Sequence, residues 1–420
     1  MNFLSLAFRG LLRNRRRSLV TLLAMALGFA AIALFAGYTH NIYRGLSLQA
    51  IHGELLGHLT ISRRGMSREG KLDPERYLLT ADDVARITGL VRADPHVVRV
   101  TPRLTLSGIV SNGRASTIFV AEGVNPAAAR ELHAGLRREM RLAPSVTDQA
   151  GVESLDPAKP DTVALAQGLA DLLHLKPGGQ AALLSHTLSG QANALDVTVG
   201  GVFNTGNAGT NDLYAFMPLG LVRSLYDAEG RADRLTVLLD DVDETQAARA
   251  RLLDQLKAAG FDVEIRTWNE LSAFYTQVRG MFDMIFGFIF SIVLTVVVMS
   301  VANSMGMTVV ERTREIGTLR ALGLLRGGVV RLFVGEAALL ALIGCVTGLL
   351  LTLAVRYGIN AAGIAYVPPN QTAPVPLLVD LDSARILVTA VMMAGVGALA
   401  AWVPARRAAR QPIIEALGHV

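Results

Sequence analysis

Four long stretches of the chain are almost entirely apolar, and polar segments separate them. They comprise residues 19–38, 281–305, 332–355 and 386–403. A membrane-spanning helix needs about 20 mainly apolar residues, because each adds about 1.5 Å and the hydrocarbon core is about 30 Å thick. Each stretch is therefore predicted to be a transmembrane helix, and Pro404 is expected to end the fourth.

The chain begins with a segment whose apolar residues recur at the spacing of one helix face. Leu4, Phe8 and Leu11 follow this spacing with Arg9 opposite, and several arginines come next. Residues 1–18 are predicted to form a cytoplasmic amphipathic helix at the inner membrane surface. A signal peptide also starts with a basic segment before an apolar one, but this apolar stretch is long and ends in a poor cleavage site. The first stretch is interpreted as a retained membrane span.

Residues 39–280 contain no comparable apolar stretch and are predicted to form one soluble domain with its stalk. Strand-like alternation is mixed with helical patterns in two regions, about 55–142 and 213–266. The region between them, about 143–212, is predicted to be an insert. Within it, residues 161–173 have the pattern of a helix. The stalk leads into the second span with no breaker other than a single glycine.

The arginines in the short polar segments predict the orientation of the chain. They precede the first span, fill residues 306–331 and follow the fourth span, whereas residues 356–385 hold two that aspartates offset. Basic residues in short loops favour the cytoplasm. Residues 306–331 and the tail at 404–420 are therefore expected inside. The domain at 39–280 and the short loop at 356–385 are expected outside the inner membrane, in the periplasm.

Composition agrees with a membrane protein that has a sizeable soluble part. Of 420 residues, 51% are hydrophobic and 18% are charged. The net charge of +5 does not indicate nucleic-acid binding, because the arginines cluster beside apolar stretches. The single cysteine, Cys345, excludes a disulfide within the chain and a metal site built from cysteines.

A charged segment separates the second and third spans. Within it, residues 310–323 are predicted to form a short helix. Glu311 comes three and four residues before Arg314 and Glu315, so these side chains are expected to share one face. Gly323 is suited to cap the C-terminal end. Two interpretations stay open: a helix that passes force between a cytosolic partner and the membrane, or a solvated loop helix.

The residues 311–323 read Glu-Arg-Thr-Arg-Glu-Ile-Gly-Thr-Leu-Arg-Ala-Leu-Gly, directly after a predicted membrane helix. This segment closely resembles the coupling helix of the MacB/FtsX/LolC-LolE class of ABC transporter permeases. The four spans, the large first external domain and the tail Pro-Ile-Ile-Glu-Ala-Leu are similar too. The resemblance implies a type VII, mechanotransmission permease. Its fold would be four transmembrane helices and a large α/β periplasmic domain, with a porter-like part and a β-rich insert.

In that class the coupling helix docks on an ATPase, which the resemblance implies for this chain. Gly317 would then permit close approach of the two surfaces. Other implied partners are a second permease copy or a paralogue, a periplasmic carrier or an outer-membrane channel, and the lipid bilayer. The residues expected to couple to the ATPase are Glu311, Arg312, Arg314, Glu315, Gly317, Arg320 and Gly323.

The sequence predicts no catalytic, metal or cofactor site of its own. Residues 65–71 match the first seven positions of a phosphate-binding loop, but Leu72 follows where a hydroxyl should bind Mg²⁺. His52 and His58 are six residues apart, which does not suit one helix face. No Gly-x-Ser-x-Gly motif occurs. ATP and Mg²⁺ are therefore expected on a partner ATPase.

Three residues within the third span need separate interpretation. Glu336 is ionisable within an apolar stretch, which often marks function. It lies about one turn past Arg331, so an anchor or an ion pair with a neighbouring arginine is favoured over a proton relay. Gly344 and Gly348 have a spacing that lets two helices approach closely, a pattern that is also common by chance.

The combined features predict the permease subunit of an ABC transporter that exports or releases a substrate. Residues 57–61 and 123–126 resemble the lipoprotein-releasing branch of the class. Two alternatives stay open: an FtsX-like regulator of a periplasmic hydrolase, and a MacB-like exporter of drugs or peptides.

Overall fold

The computed structural model describes residues 15–70, 72–140, 151–205, 208–367 and 375–417. The chain divides into two compact units. The helical unit comprises Met1–Tyr43, Val278–Ala365 and Pro376–Val420, and the sheet unit comprises Arg44–Gln277 and Tyr366–Val375. Most of the amphipathic helix predicted at 1–18 lies outside the described residues.

The described residues form long helices in the helical unit, and short helices and strands in the sheet unit. The α-helices in chain order are α1 (Arg15–Leu48), α2 (Met66–Glu69), α3 (Pro74–Tyr77), α4 (Ala81–Arg92), α5 (Pro126–Met140), α6 (Gln167–Leu172), α7 (Ala208–Asn211), α8 (Leu219–Tyr226), α9 (Thr245–Ala258), α10 (Trp268–Leu271), α11 (Ala273–Glu311), α12 (Thr313–Ala321), α13 (Arg326–Ala362), α14 (Ser383–Arg410) and α15 (Ile413–Leu417). The strands are β1 (Leu59–Arg63), β2 (Val97–Ser111), β3 (Ser116–Val124), β4 (Thr162–Ala166), β5 (Gln180–His186), β6 (Ala192–Phe203), β7 (Tyr214–Pro218), β8 (Arg234–Leu239), β9 (Val263–Thr267), β10 (Ala365–Tyr366) and β11 (Val375–Pro376). A π-helical turn, Gln49–Gly53, follows α1.

Four helices of the described part are long and apolar enough to cross a membrane: α1 with its π-helical turn, α11, α13 and α14. Each contains one of the predicted stretches and extends past it. α11 is 39 residues long and starts only two residues after α10 ends. Stalk and second span are therefore one helix from Ala273 onward, and Gly280 does not interrupt it.

The expectation that Pro404 ends the fourth span is wrong, because α14 continues through this proline to Arg410. A proline inside a helix removes one backbone hydrogen bond, so packing has to compensate. Ala405, Ala408 and Ala409 are fully buried beyond the proline and share a core with Phe333 of α13. Burial of these small side chains holds the last turns helical.

The core of the helical unit is contributed by all four long helices. Met25 and Phe29 of α1 pack in one cluster with Val297 of α11, Leu340 of α13 and Met393 of α14. The contact between α13 and α1 is close. A Cβ atom at Gly344 would lie 2.8 Å from Met25 Cβ, and one at Gly348 would lie 2.7 Å from the Ala26 carbonyl oxygen. Both glycines thus lie where the two helix backbones approach each other.

The described part of the sheet unit contains a nine-stranded sheet with the order β3-β7-β4-β6-β5-β2-β8-β1-β9. The sheet has two halves, and β2 is long enough to pair with strands in both. Its first part pairs with β8, from Val97 opposite Leu239 to Arg103 opposite Arg234. Its last part pairs with β3 and β5.

Each half of the sheet has its own core. One core lies between β1, β2, β8 and β9 and the helices α4 and α9, around Ile61, Val100 and Leu252. The other surrounds α8 and includes Leu106 of β2, Phe119 of β3 and Val163 of β4. The structure therefore places the division inside β2, near residue 104. The region expected as an insert, about 143–212, shares its core with residues on both sides of it.

The helix predicted at 161–173 is wrong for its first part. Thr162–Ala166 forms β4, and only Gln167–Leu172 is helical. Every residue of β4 is buried, and the strand pairs with β6 and β7. A strand buried on both faces has no alternation of polar and apolar residues, so its sequence resembles that of a buried helix.

Candidate functional site

The charged segment between the second and third spans folds as a short helix with a break in front of it. α11 ends at Glu311, Arg312 adopts φ −105° and ψ 13°, and α12 starts at Thr313. The expectation that Glu311 shares one helix face with Arg314 and Glu315 is wrong, because Glu311 belongs to the preceding helix. The sequence contains no glycine or proline at this point that would predict the break.

The side chain of Arg312 stabilises the backbone at this break. Its Nε atom lies 2.6 Å from Glu315 Oε2 on α12, and its Nη1 atom lies 2.7 Å from Glu336 Oε1 on α13. The guanidinium also lies 5.5 Å from the centre of the Phe333 ring. One side chain thus connects three helices. The interpretation of Glu336 as a member of an ion pair agrees with this geometry, and the partner is Arg312.

The inner face of α12 packs against the rest of the helical unit. Thr313, Ile316 and Gly317 are buried, and Ile316 belongs to a cluster with Val309 and Phe333. Gly317 was expected to face a partner protein. In this structure it is buried within the helical unit, together with Thr313 and Ile316 at helical spacing.

Two further residues of the segment have structural roles at the end of α12. Arg320 donates a hydrogen bond from Nη1 to the carbonyl oxygen of Gln411, just before α15. The cap residue of α12 is Leu322, and Gly323 follows with φ +96°. Only glycine adopts this left-handed conformation without strain, which suits the end of a helix.

The outer face of the segment carries charges and two exposed leucines. Glu311, Arg314 and Glu315 are exposed. Leu322 is 80% exposed and Leu325 is 79% exposed, on either side of Gly323. Leu325 was not among the residues predicted from the sequence. The available signal was a pair of large apolar residues next to a glycine, in a loop that the arginines place in the cytoplasm.

Two family models match the chain. The model described as "FtsX-like permease C-terminal" matches residues 287–413, which contain α12. The model described as "MacB-like periplasmic core domain" matches residues 18–255, more than half of the chain. The chain belongs to the MacB-like and FtsX-like family of ABC transporter permeases.

Curated relatives of this MacB-like permease are export proteins. The chain is 26% identical to the pyoverdine export ATP-binding/permease protein PvdT of Pseudomonas putida, over 99% of its own length and 59% of the relative. It is 25% identical to the macrolide export ATP-binding/permease protein MacB of Neisseria gonorrhoeae, over 99% of its length and 60% of the relative. The chain thus spans about 60% of the length of these relatives.

One solved structure that the chain matches is the periplasmic region of MacB from Actinobacillus actinomycetemcomitans. It has 16% sequence identity and a TM-score of 0.34, and the match covers 53% of this chain and 93% of that one. The predictions of family, fold class and location are confirmed. The MacB-like permease is an inner-membrane protein with four apolar helices and an α/β periplasmic domain, which is the sheet unit.

Sequence reasoning missed a buried charge cluster in the periplasmic sheet unit. Arg103 and Arg234 lie directly opposite each other on β2 and β8. Like charges in this position repel. Glu122 of β3 forms ion pairs with both of them. Asp233 accepts a hydrogen bond from the Thr105 backbone N–H at 2.9 Å. Burial raises the pKa of Asp233 to about 6, even though hydrogen bonds from Thr105 and the charge of Arg103 act against this shift.

The histidines and the phosphate-loop lookalike of the MacB-like permease also have structural explanations. His58 Nδ1 accepts the backbone N–H of Leu239 at 3.0 Å, and burial, followed by the effect of His52, lowers the pKa of His58 to about 4. His58 is therefore neutral near pH 7. In the described part of the lookalike, Met66–Glu69 is helical. Among the described residues, no group of three or more His, Cys, Asp or Glu side chains could hold a metal ion.

Proposed function

We propose that this chain is the permease subunit of an ABC exporter, driven by an ABC ATPase on a partner polypeptide. The observation that carries the proposal is the outer face of the segment from α11 to α13, within the part of the chain that matches the FtsX-like model. ATP-driven movement of the ATPase would displace α12, and the long helices would carry that movement to the periplasmic domain.

The exposed leucines supply more of the docking free energy than the charges. Burying a leucine side chain fully is worth about 1.5–3 kcal/mol relative to leaving it exposed. An ion pair that stays in contact with water contributes about 0–1 kcal/mol. Leu322 and Leu325 are therefore assigned as the anchors of the docking surface, and Glu311, Arg314 and Glu315 as residues that orient the ATPase.

A MacB-like export function is favoured over lipoprotein release. PvdT and MacB are named for the export of pyoverdine and macrolides, which supports a low-molecular-mass cargo. The segment at 57–61 that suggested lipoprotein release has a structural explanation. Gly57 has φ +64°, and a Cβ atom there would lie 2.6 Å from the Val237 carbonyl oxygen.

The segment at 123–126 has a structural explanation as well. Asn125 Oδ1 accepts the backbone N–H groups of Ala127 at 3.1 Å and Ala128 at 3.2 Å at the start of α5. This is an N-terminal helix cap followed by proline at the first helical position. Lipoprotein release and FtsX-like regulation of a hydrolase remain predictions from the sequence. A second permease copy or paralogue and an outer-membrane channel are proposed as further partners.

The test is co-purification of the full chain with its native partners from detergent-solubilised membranes. We expect an ABC ATPase to co-purify with the wild-type chain. The double variant Leu322→Ser and Leu325→Ser should lose it, because both anchors become polar. The matched control, Leu342→Ser and Val346→Ser, changes two exposed residues of α13 within its predicted span and should retain the ATPase.

Absence of any ABC ATPase from the wild-type preparation would overturn the proposed function. Retention of the ATPase by the double leucine variant would overturn the assignment of the docking anchors. Recovery of a cell-wall hydrolase with the wild-type chain, in place of an export partner, would favour the regulatory alternative.

A further inference from the structure

We propose that Arg312, Glu315 and Glu336 form a joint that transmits movement of α12 into α13. We call these three residues the Arg312 joint. The inference rests on the proposed function, because it assumes that an ATPase moves α12. It assigns Arg312 and Glu336 as positioning residues that act inside the permease, whereas the resemblance to coupling helices had implied that Arg312 contacts the ATPase.

The first support is the position of the joint at a break in the backbone. Arg312 has non-helical ψ between α11 and α12, so rotation at this residue changes the angle between the two helices. The backbone alone therefore fixes that angle weakly. The Arg312 side chain adds a second connection, since it binds Glu315 one turn into α12.

The second supporting observation is that the Arg312 side chain also contacts α13. The other end of the Arg312 guanidinium binds Glu336, which is 24 residues further along the chain and belongs to α13. A displacement of α12 therefore pulls on α13 through an ion pair. The ring of Phe333, also on α13, lies under the same guanidinium.

The third support is burial, which makes the connection stiff. The Glu336 side chain is 3% exposed and the Arg312 side chain is 17% exposed. Among the described residues, no other basic side chain lies within ion-pair distance of Glu336. A movement that separated the pair would leave a carboxylate without a partner in an apolar surrounding, which is strongly unfavourable. The pair is therefore expected to stay together and α13 to follow α12.

The chemistry of the joint requires arginine. Arg312 uses Nε for Glu315 and Nη1 for Glu336, so two separate donors of one rigid planar group hold two carboxylates. A lysine ammonium is a compact group at the end of a flexible chain and does not reproduce this forked geometry. Arg312→Lys therefore keeps the positive charge but cannot bind Glu315 and Glu336 at the same time. This variant distinguishes the effect of the charge from the effect of the link between the helices.

The test measures movement directly, so the cargo need not be known. The full chain, purified with its ATPase and placed in lipid nanodiscs, carries spin labels at Met284 on α11 and Tyr357 on α13, both exposed. Cys345, the only cysteine of the chain, is replaced by alanine beforehand. The distance between the labels is measured without nucleotide and with ATP and vanadate.

We expect a nucleotide-dependent distance change in the wild-type background. The change should be largely lost in Glu336→Gln and in Arg312→Lys, because each substitution breaks the ion pair that reaches α13. ATPase co-purification and the basal rate of ATP hydrolysis should be retained, because neither residue lies on the exposed docking surface. The matched control is Arg331→Gln, an exposed charge about one turn from Glu336 on the same helix, which should leave the distance change intact.

Three results would count against the joint. A full distance change in both Glu336→Gln and Arg312→Lys would overturn it. Loss of the ATPase from these variants, with the chain still inserted in the membrane, would show that the pair shapes the docking surface. An equal reduction in Arg331→Gln would show a general charge effect. Failure of the wild-type chain to bind any ABC ATPase is a different result, which overturns the proposed function.

Discussion

Buried arginine–carboxylate groups occur in both units, and the backbone around them differs. In the sheet unit, Arg103 and Arg234 belong to strands that are paired along their length, and Glu122 comes from the adjacent strand β3. In the helical unit, Arg312 lies at a break between two helices. The strand ladder holds the first group in one geometry, whereas the second group lies where the chain can change direction.

This difference separates a structural charge cluster from a candidate moving part. Burial, charge and short ion-pair distances are common to both groups, so these properties alone do not identify function. The two groups differ in the backbone around them: hydrogen bonds of the strand ladder surround the sheet cluster, whereas Arg312 lies at a break between two helices. The sheet cluster is accordingly assigned to stability, and the following predictions test that assignment.

The largest effect is expected for Glu122→Ala in the sheet cluster. The substitution leaves the buried Arg103 without its carboxylate opposite the partly buried Arg234, which keeps only its ion pair with Asp233. It should lower the free energy of unfolding by about 3–5 kcal/mol. The matched control is Asp262→Ala. Its ion pair with Arg64 is exposed, so the loss should be much smaller than for Glu122→Ala.

Chemical denaturation of the full chain, followed by the fluorescence of Trp268 in a Trp402→Phe background, measures both losses. These are the two tryptophans of the chain, and Trp268 belongs to the sheet unit. Equal losses in Glu122→Ala and Asp262→Ala would show that the cluster contributes no more than a surface pair.

A smaller effect is expected where two helices of the helical unit are in fixed contact. Gly348→Leu inserts a side chain where a Cβ atom already lies 2.7 Å from a backbone oxygen. Overpacking of this kind costs about 1–3 kcal/mol. Gly358→Leu on the same helix meets no atom within 4 Å of its Cβ and serves as the control.

The melting temperature of the purified chain in detergent should fall for Gly348→Leu and stay near the wild-type value for Gly358→Leu. If both variants melted like the wild type, the contact between α1 and α13 would tolerate a larger side chain. The contrast between fixed contacts and a movable break at Arg312 would then be wrong.

A third effect concerns the pH dependence of the sheet cluster. The folded-state pKa of Asp233 is raised to about 6 from the ordinary value of 3.8. Between these values the folded state holds a proton that the unfolded state has lost. Stability from this group is therefore present at low pH and is lost as pH rises toward 6, by up to about 1.4 kcal/mol per pH unit.

Asp233→Asn removes this contribution. Unfolding free energies are measured from pH 4 to pH 7 for both proteins. The difference between wild type and variant should change with pH only below about pH 6. The difference between the two proteins isolates Asp233 from other carboxylates, such as Asp83, whose pKa is lowered. Parallel pH profiles would contradict the assignment.

Local pattern and composition predicted much of the fold. The four spans follow from uninterrupted apolar stretches of sufficient length. These features depend on residues that are neighbours in sequence.

The missed features depend on contacts between residues far apart in sequence. Pro404 stays helical because alanines after it are buried, and β4 forms because strands on both sides pair with it. Gly317 lies on the buried face of α12, which follows the break at Arg312. The charges of 306–331 could be predicted as a site, but which of them face outward could not.

The length of α11 has a mechanical consequence. A helix of 39 residues is about 58 Å long at about 1.5 Å per residue, nearly twice the thickness of the hydrocarbon core. Tilting such a rod by about 5° at its Arg312 end displaces its Ala273 end by about 5 Å. The helix is thus a lever arm that converts a small rotation into a displacement comparable to one helical turn. Because work is conserved, the force at the far end is correspondingly small.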